Sequence, residues 1–314
     1  MESESEAKVI SFINMKGGVG KTTLLFQFAH YVDRKLKKND NTKFKILLID
    51  TDPQSNLTQN EKERFILENG LATKKDDDKK DDDKKDDDKK DDDKKDDESV
   101  FGKKSIQRLF DPDQLAPEIA TDNAIFNLNE NIDILPGELK AIFLERTQVG
   151  KGTALRDFIL DNNLLLAYDL ILIDCPPTYS LYTELSLLVS DFYIVPVTQD
   201  SYASLGIDLL EEVVQAIVHT HRNDMFKEKR LERLGIIIND AGTSTKEESW
   251  STTLRSVYGN EVYPDTVAHR SKFGSSSLLG KAAIDTSDKE LLEQIRKFSI
   301  TTLQRLDIDY IEEE

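Results

Sequence analysis

The chain predicts an α/β fold, a mostly parallel sheet with helices on both faces. Three observations carry that reading. Uniformly apolar runs such as Leu170-Ile171-Leu172-Ile173 and Ile236-Ile237-Ile238 suit strands buried on both faces. These runs alternate with segments of helical spacing, the order that builds a parallel sheet. A glycine cluster, Gly17-Gly18-Val19-Gly20, separates the first apolar run from the first helical one.

Taken in order, Lys8 to Ile13 (KVISFI) is a short apolar strand, and the spacing after the glycines predicts a helix over 21–38. A strand over 44–49 follows, its apolar run Ile46 to Ile49 ending at Asp50. After a long interruption come a strand at 132–135, helices near 138–147 and 151–166, and a strand at 169–173. The pattern then gives helix 179–189, strand 191–197 with Val195-Pro196-Val197, helix 203–221 and strand 234–239. Helix 245–258, a short extended piece at 262–267 and helix 287–306 complete the chain. The last helix gathers Leu291, Leu292, Ile295, Phe298 and Leu303 on one broad apolar face, as a core helix does.

With 314 residues and 38% hydrophobic content, residues 1–314 suffice for a single domain. The interruption contains a low-complexity insertion. From Lys74 to Asp97 the chain repeats K-K-D-D-D, with ten lysines, fourteen aspartates and no apolar residue. Such a segment has nothing to bury against the entropy of ordering, so 74–97 is expected to be a disordered charged loop or frayed helix projecting from the globule. A polyampholyte interaction tether is its functional alternative.

The net charge of −18 lacks the basic footprint usual in nucleic-acid binders, although a local patch is compatible with it. The single cysteine, Cys175, forms no intrachain disulfide, reads as a small buried residue at a strand end, and fits a reduced, cytoplasmic setting. The amino terminus (MESESEAKVI) lacks the basic and apolar regions of a signal peptide, and no apolar stretch reaches membrane-spanning length. The four histidines (30, 219, 221, 269) have no zinc-like spacing, and His219 and His221 read as surface residues.

The chemistry is carried by Asn14-Met15-Lys16-Gly17-Gly18-Val19-Gly20-Lys21-Thr22-Thr23. Strand, glycine loop and helix is the context of a phosphate-binding loop, so the fold expected is of the P-loop NTPase type. The glycines let successive backbone N–H groups turn toward one anion, and the helix N-terminus adds partial positive charge. Lys21 is placed to reach the β- and γ-phosphates and Thr22 to give its hydroxyl to Mg²⁺. Asp50 and Asp174 end apolar strands, at the edge of an open α/β sheet where ligands bind. Asp174 suits a Mg²⁺ that keeps several waters, and Asp52, just past its strand, reaches toward the γ-phosphate. Strand-end or helix-cap roles are the alternatives for Asp50 and Asp52.

With Lys16 ahead of the glycines, the loop resembles the deviant Walker A motif of the ParA/MinD family of P-loop ATPases. Asp50-Thr51-Asp52-Pro53-Gln54 resembles that family's second motif, and Asp174-Cys175-Pro176-Pro177 resembles the end of its Walker B strand. Asp191 to Asp200 looks like the strand that follows. These four stretches fall in the family's order over most of residues 8–200, and D-P-Q with D-C-P-P resembles the ParA/Soj partition branch most. The resemblance implies ATP and Mg²⁺ as cofactors and hydrolysis of ATP. It implies that Asp52 orients the attacking water, that Asp50 sets magnesium and loop geometry, and that Lys16 reaches across a homodimer to the partner's ATP. It places Thr266 to Lys272 near the base, where Asn239 either reads adenine or caps a strand. It further implies a ParB-type adaptor and nonspecific DNA as partners, segregation of a plasmid or chromosome as the task, and a cytoplasmic, nucleoid-associated protein.

Two departures matter. Soj-like proteins carry arginines at the positions of Gln215 and Gly242; Arg222, Lys227, Lys229, Arg230, Arg233 and Arg255 are candidate substitutes, or simply a solvated basic surface. The chain ends acidic, at Asp307, Asp309 and Glu312 to Glu314, where MinD-like relatives end in a basic membrane anchor, so no membrane partner is expected. A MinD/Mrp-like positioning or scaffold ATPase for a non-DNA cargo is the alternative function. A nitrogenase iron protein needs more cysteines than this chain has. The loop alone leaves an amidoligase of cobyrinate type open, but no glutaminase domain accompanies it.

Overall fold

The computed structural model describes residues 6–71, 100–110, 120–138, 152–200, 203–242, 244–268 and 280–313. The 74–97 insertion, the helix expected near 138–147 and residues 269–272 therefore lie outside the described residues, apart from Glu138.

A seven-stranded sheet runs β4-β5-β3-β6-β1-β7-β8. Its strands are β1 (Lys8–Phe12), β3 (Ile46–Asp50), β4 (Phe126–Asn127), β5 (Ile132–Leu135), β6 (Leu170–Asp174), β7 (Phe192–Val197) and β8 (Glu232–Ile238). All pairs are parallel except β4 with β5, an antiparallel edge. The expected strands are all present, most shifted by a residue or two at an end.

Alternation along the strands divides the core. Leu47, Ile49, Ile171 and Ile173 face one layer, which is covered by α4 (Ala154–Asp161), α6 (Leu181–Val189) and α7 (Ala203–Thr220) through Leu155, Tyr182, Leu185, Ile207 and Leu210. Ile46, Leu48, Leu170 and Leu172 face the other, covered by α1 (Lys21–Lys35) and α9 (Lys289–Arg305). There the rings of Phe12, Phe28 and Phe298 meet at centroid distances of 6.0–6.5 Å, and Tyr263 joins Phe298 at 5.3 Å. Leu291, Ile295, Phe298 and Leu303 are buried as the last helix's apolar face requires.

Several elements differ from the sequence expectation. The first helix stops at Lys35 because the chain turns into β2 (Leu36–Lys37), which pairs antiparallel with β9 (Ile311–Glu312). A helix not anticipated, α2 (Asn56–Glu68), follows the Asp52 loop; its buried residues include Glu61, Lys62 and Arg64, so its inner face carries no hydrophobic stripe. The segment expected as helix 151–166 is split into α4 and a short α5 (Leu164–Ala167) by Asn163, whose φ is 53°. A short α3 (Thr121–Ala124) precedes β4, and α8 (Thr245–Tyr258) starts at a capping box formed by Ser244 and Glu247. The extended piece at 262–267 meets β8 at a bridge between Val262 and Ile236, and just beyond both segments Ala268 bridges Ala241.

The parallel order brings the carboxyl ends of β1, β3, β6, β7 and β8 to one edge. Phe12, Asp174 and Asp50 sit on one rung of β1, β6 and β3. Every candidate site residue therefore arises from a loop, a strand end or the start of α1 at that edge.

Candidate nucleotide site

The loop between β1 and α1 is built to leave amides open. Gly18 and Gly20 have φ of +76° and +89°, which a side chain would strain. Gly17 and Gly18 are exposed, whereas the Val19 side chain is buried. Among the described residues none supplies a hydrogen-bond acceptor to the amides of Gly17, Gly18, Val19 or Gly20. Helix α1 starts at Lys21 with no side-chain cap and no acidic residue in its first turn, so its positive end is open to an anion. Thr23, also in that first turn, is half-buried.

Below the loop, Thr22 Oγ1 donates to Asp174 Oδ2 at 2.6 Å, and Asp174 Oδ1 is buried with no protein partner. Lys21 is almost fully buried, and its Nζ donates to the carbonyl of Lys16 at 3.3 Å. Burial pushes the Lys21 ammonium below its ordinary value, against the opposing pull of Asp174 and Asp52. Burial pushes the Asp174 carboxyl well above its ordinary value and neighbouring Asp50 adds to this, while Thr22 acts the other way. The Asp50 carboxyl is pushed up to about 7, mainly by burial. Two buried carboxylates on one rung favour a cation beside them.

Among the described residues no group of three or more His, Cys, Asp or Glu could by itself hold a metal ion. That excludes an all-protein cage there, but it suits Mg²⁺, which binds one or two carboxylates together with phosphate oxygens and water. Thr22 Oγ1 and the orphaned oxygen of Asp174 fit that donor set.

Asp50 is arranged differently from Asp174. Its Oδ2 accepts from the amide and hydroxyl of Thr58, at 2.8 and 2.7 Å, and its Oδ1 accepts from the Asp52 amide at 3.2 Å. It caps the first turn of α2 from the neighbouring strand and so sets the loop that carries Asp52. Asp52 accepts from the Gln54 amide at 2.9 Å through Oδ1, and burial raises its carboxyl above the ordinary range.

Lys16 is half-exposed at the mouth of the site and is ion-paired in its own chain with Asp200, just after β7. Asn239, at the end of β8, donates from Nδ2 to the carbonyl of Val19 at 2.9 Å. Of the segment placed near the base, Val267 and Ala268 are tied to Ile238 and Gln294. Cys175 is buried, and burial pushes its thiol up to about 12.

Sequence reasoning gave no individual role to Asn14 or Asp200 and did not single out Thr58 or Gly137. Asn14 donates to the Pro196 carbonyl and accepts from the Lys16 amide, fixing the loop's entry. Asp200 follows the carboxyl end of a strand, the criterion already applied to Asp52, and that criterion would have found it. Thr58 and Gly137 carry no such signal.

Comparison with known proteins gives the family. A model described as an AAA domain matches residues 7–227. The chain belongs to that family. The resemblance of its motifs to ParA/MinD ATPases is supported by what this AAA-domain chain is similar to. The chromosome-partitioning ATPase Soj of Thermus thermophilus is 23% identical over 282 residues, 88% of this chain and 87% of that one. The structure of a putative plasmid partition protein from Borrelia burgdorferi B31 bound to AMPPNP superposes with a TM-score of 0.67 at 19% identity, covering 96% of this chain and all of that one. Cobyrinic acid a,c-diamide synthase from Mycobacterium smegmatis, with a bound ATP analogue and magnesium, gives 0.60 at 17% identity, covering 96% of each. The fold is thus that of ParA-type proteins, and the AAA-domain chain has the P-loop architecture its sequence predicts.

Four of the six basic residues considered for DNA binding are engaged in the fold. Arg233 pairs with Glu211 and Glu261, and Lys229 with Asp191. Arg255 donates to the carbonyls of Tyr263 and Pro264, and Arg222 to that of His219. Among the described residues no helix is long and apolar enough to cross a membrane.

Proposed function

We propose that the chain is a magnesium-dependent ATPase switch of ParA type that dimerises on ATP. One observation carries this reading: the hydroxyl of Thr22 and a buried, half-unsatisfied Asp174 converge directly beneath a loop of open amides. The amides of residues 17–20 and the end of α1 receive the phosphates, and Lys21 approaches the terminal ones. Thr22 and Asp174 hold Mg²⁺, which when bound neutralises charge on the phosphate oxygens. Asp52 holds the attacking water, on a loop whose geometry Asp50 fixes. Lys16 leaves Asp200 and extends to the nucleotide of a second copy, adding a cation where charge develops. Hydrolysis removes that interaction, so the two states bind partners differently.

By its likeness to Soj and to plasmid partition proteins, the task is partitioning a plasmid or chromosome, in the cytoplasm at the nucleoid, with a ParB-type adaptor and nonspecific DNA. A positioning ATPase for a protein cargo is the second reading. It is favoured by the acidic net charge and by the engagement of Arg222, Lys229, Arg233 and Arg255 within the fold.

Titration calorimetry with Mg·ATP and light scattering with and without nucleotide test the switch. Wild type is expected to bind and dimerise. Lys16→Ala is expected to bind ATP without dimerising, and Asp52→Ala to form a long-lived ATP dimer. A wild-type protein that ignores Mg·ATP, or stays monomeric with it, sinks the reading. DNA affinity of the ATP form, if present, falls steeply with salt; absence of DNA binding selects the protein-cargo reading.

A further inference from the structure

We propose that Asn239 is a positioning residue that holds the phosphate loop in its anion-receiving shape, and so acts on the triphosphate and not on the base. This rests on the nucleotide-site reading above and deepens it.

The argument begins with the peptide unit between Val19 and Gly20. A trans peptide is planar, so its carbonyl and its amide N–H point in opposite directions. The Asn239 amide donates to the Val19 carbonyl at 2.9 Å. Fixing that oxygen inward aims the Gly20 N–H outward. Lys21 Nζ sits on the Lys16 carbonyl at 3.3 Å and aims the Gly17 N–H in the same way. Unheld, either carbonyl is free to rotate toward the anion and repel it.

The contact also accounts for the residue at position 20. A Cβ there would lie 2.0 Å from Asn239 Nδ2 and 3.1 Å from its Cγ. Glycine is therefore required twice, for the positive φ of +89° and to let the amide reach the carbonyl beside it. The amide itself stands on a rigid base. The Asn239 backbone N–H donates to the Val197 carbonyl at 2.8 Å, continuing the β7–β8 ladder, and Ala241 N–H donates to Val267 at 2.9 Å. The strut thus ties the loop after β1 to the end of β8. With one Nδ2 hydrogen held on the Val19 carbonyl, only the second hydrogen and Oδ1 are left to meet a base.

The test uses the full chain, with Mg²⁺, and three probes: ATP, GTP and inorganic tripolyphosphate. Loop order is read separately, without nucleotide, by amide hydrogen exchange over residues 14–24. Asn239→Ala is expected to speed exchange at the loop and to weaken all three probes by one common factor, about five- to tenfold, the worth of one net hydrogen bond. Asn239→Asp, of nearly the same shape, cannot donate and repels the Val19 oxygen. It is expected to weaken all three at least as much, and it serves as the test if the alanine variant melts early. The proposal is overturned if the substitutions leave tripolyphosphate affinity and loop exchange unchanged while changing the preference for ATP over GTP; Asn239 is then a base reader. If wild type binds none of the three probes, the nucleotide site itself fails and this proposal falls with it, an outcome distinct from the first.

Discussion

Lys16 Nζ lies 2.5 Å from Asp200 Oδ2 within a single chain. Asp200 Oδ2 also accepts from the Thr198 hydroxyl at 2.6 Å, so the acceptor is itself fixed. The lysine proposed to serve a second copy therefore has a partner at home, and dimerisation must first break that pair. With side chains 42% and 29% exposed, the pair is worth about 0.2–1 kcal/mol. Each dimer breaks two such pairs, so Asp200→Ala is expected to lower the protein concentration for half-dimerisation with ATP by about two- to thirtyfold, the equivalent of about 0.4–2 kcal/mol. Light scattering across a concentration series measures it. Weaker dimerisation in the variant would mean that Asp200 supports the assembled state instead.

Asp174 carries a charge that its own burial opposes. Its carboxyl is buried beside Asp50, with one oxygen lacking a protein partner. Asp174→Asn removes a charge that burial disfavours and keeps the shape, so the nucleotide-free protein is expected to melt at the same or a higher temperature. The stabilisation that Mg·ATP gives wild type, about 2.7 kcal/mol at a hundredfold excess over Kd, is expected to disappear. Thermal melts with and without Mg·ATP and with EDTA check both halves. A variant destabilised without ligand but still stabilised by Mg·ATP would contradict this account.

The strands were legible because the sheet is buried on both faces, so Ile46 to Ile49 and Leu170 to Ile173 show as unbroken apolar runs. The glycine loop before α1 and the strand-end position of Asp174 were legible for a local reason: a short motif contains both the residues and the backbone freedom they need. Helix α2 was not. Its packing uses polar contacts, a Glu61–His30 hydrogen bond and an Arg64–Asp285 ion pair, and those residue types normally mark a solvated face. The β2–β9 pair was hidden because each strand has two residues, and the acidic terminus gave no hint that it returns to Leu36 and Lys37. Partners such as Lys16 and Asp200 are 184 residues apart, beyond any local pattern.

That acidic terminus makes a pH-dependent clasp. Lys37 and Lys43 hold the Glu313 carboxyl down at about 2. Glu312 is also lowered, first by Arg296, with Tyr31 helping. A carboxylate depressed in the folded state adds stability above its unfolded value, and that contribution is lost as pH falls through the folded one. For Glu313 the window runs from about 4.5 down to about 2. Amide exchange at Leu36, Lys37 and Ile311 is expected to accelerate relative to the sheet core as pH drops through it. Glu313→Gln is expected to show the loosened state at neutral pH as well. Equal protection of the clasp in wild type and Glu313→Gln, and at both ends of the window, would remove the charges from its explanation.

Gly137 links the Asp50 rung to the helix that follows the Asp52 loop. Its amide donates to Thr58 Oγ1 at 2.7 Å, and a Cβ on it would lie 2.9 Å from Asp50 Cγ and 3.1 Å from the Asp50 backbone oxygen. Because a backbone atom is among the obstacles, rotating a side chain does not make room. Gly137→Ala must displace Asp50, which holds both the Thr58 turn of α2 and the Asp52 amide. Overpacking of this kind costs about 1–3 kcal/mol of stability. The contacts of Gly137 are with Thr58 and Asp50, on the Asp52 side of the site, so ATP affinity is expected to stay within about twofold, whereas misplacing a positioned group by about 1 Å costs on the order of a hundredfold in turnover. Calorimetric binding and steady-state hydrolysis on one preparation separate the two effects. Parallel loss of binding and turnover would show that the Asp50–Thr58–Gly137 contact supports the whole site and not the Asp52 loop alone.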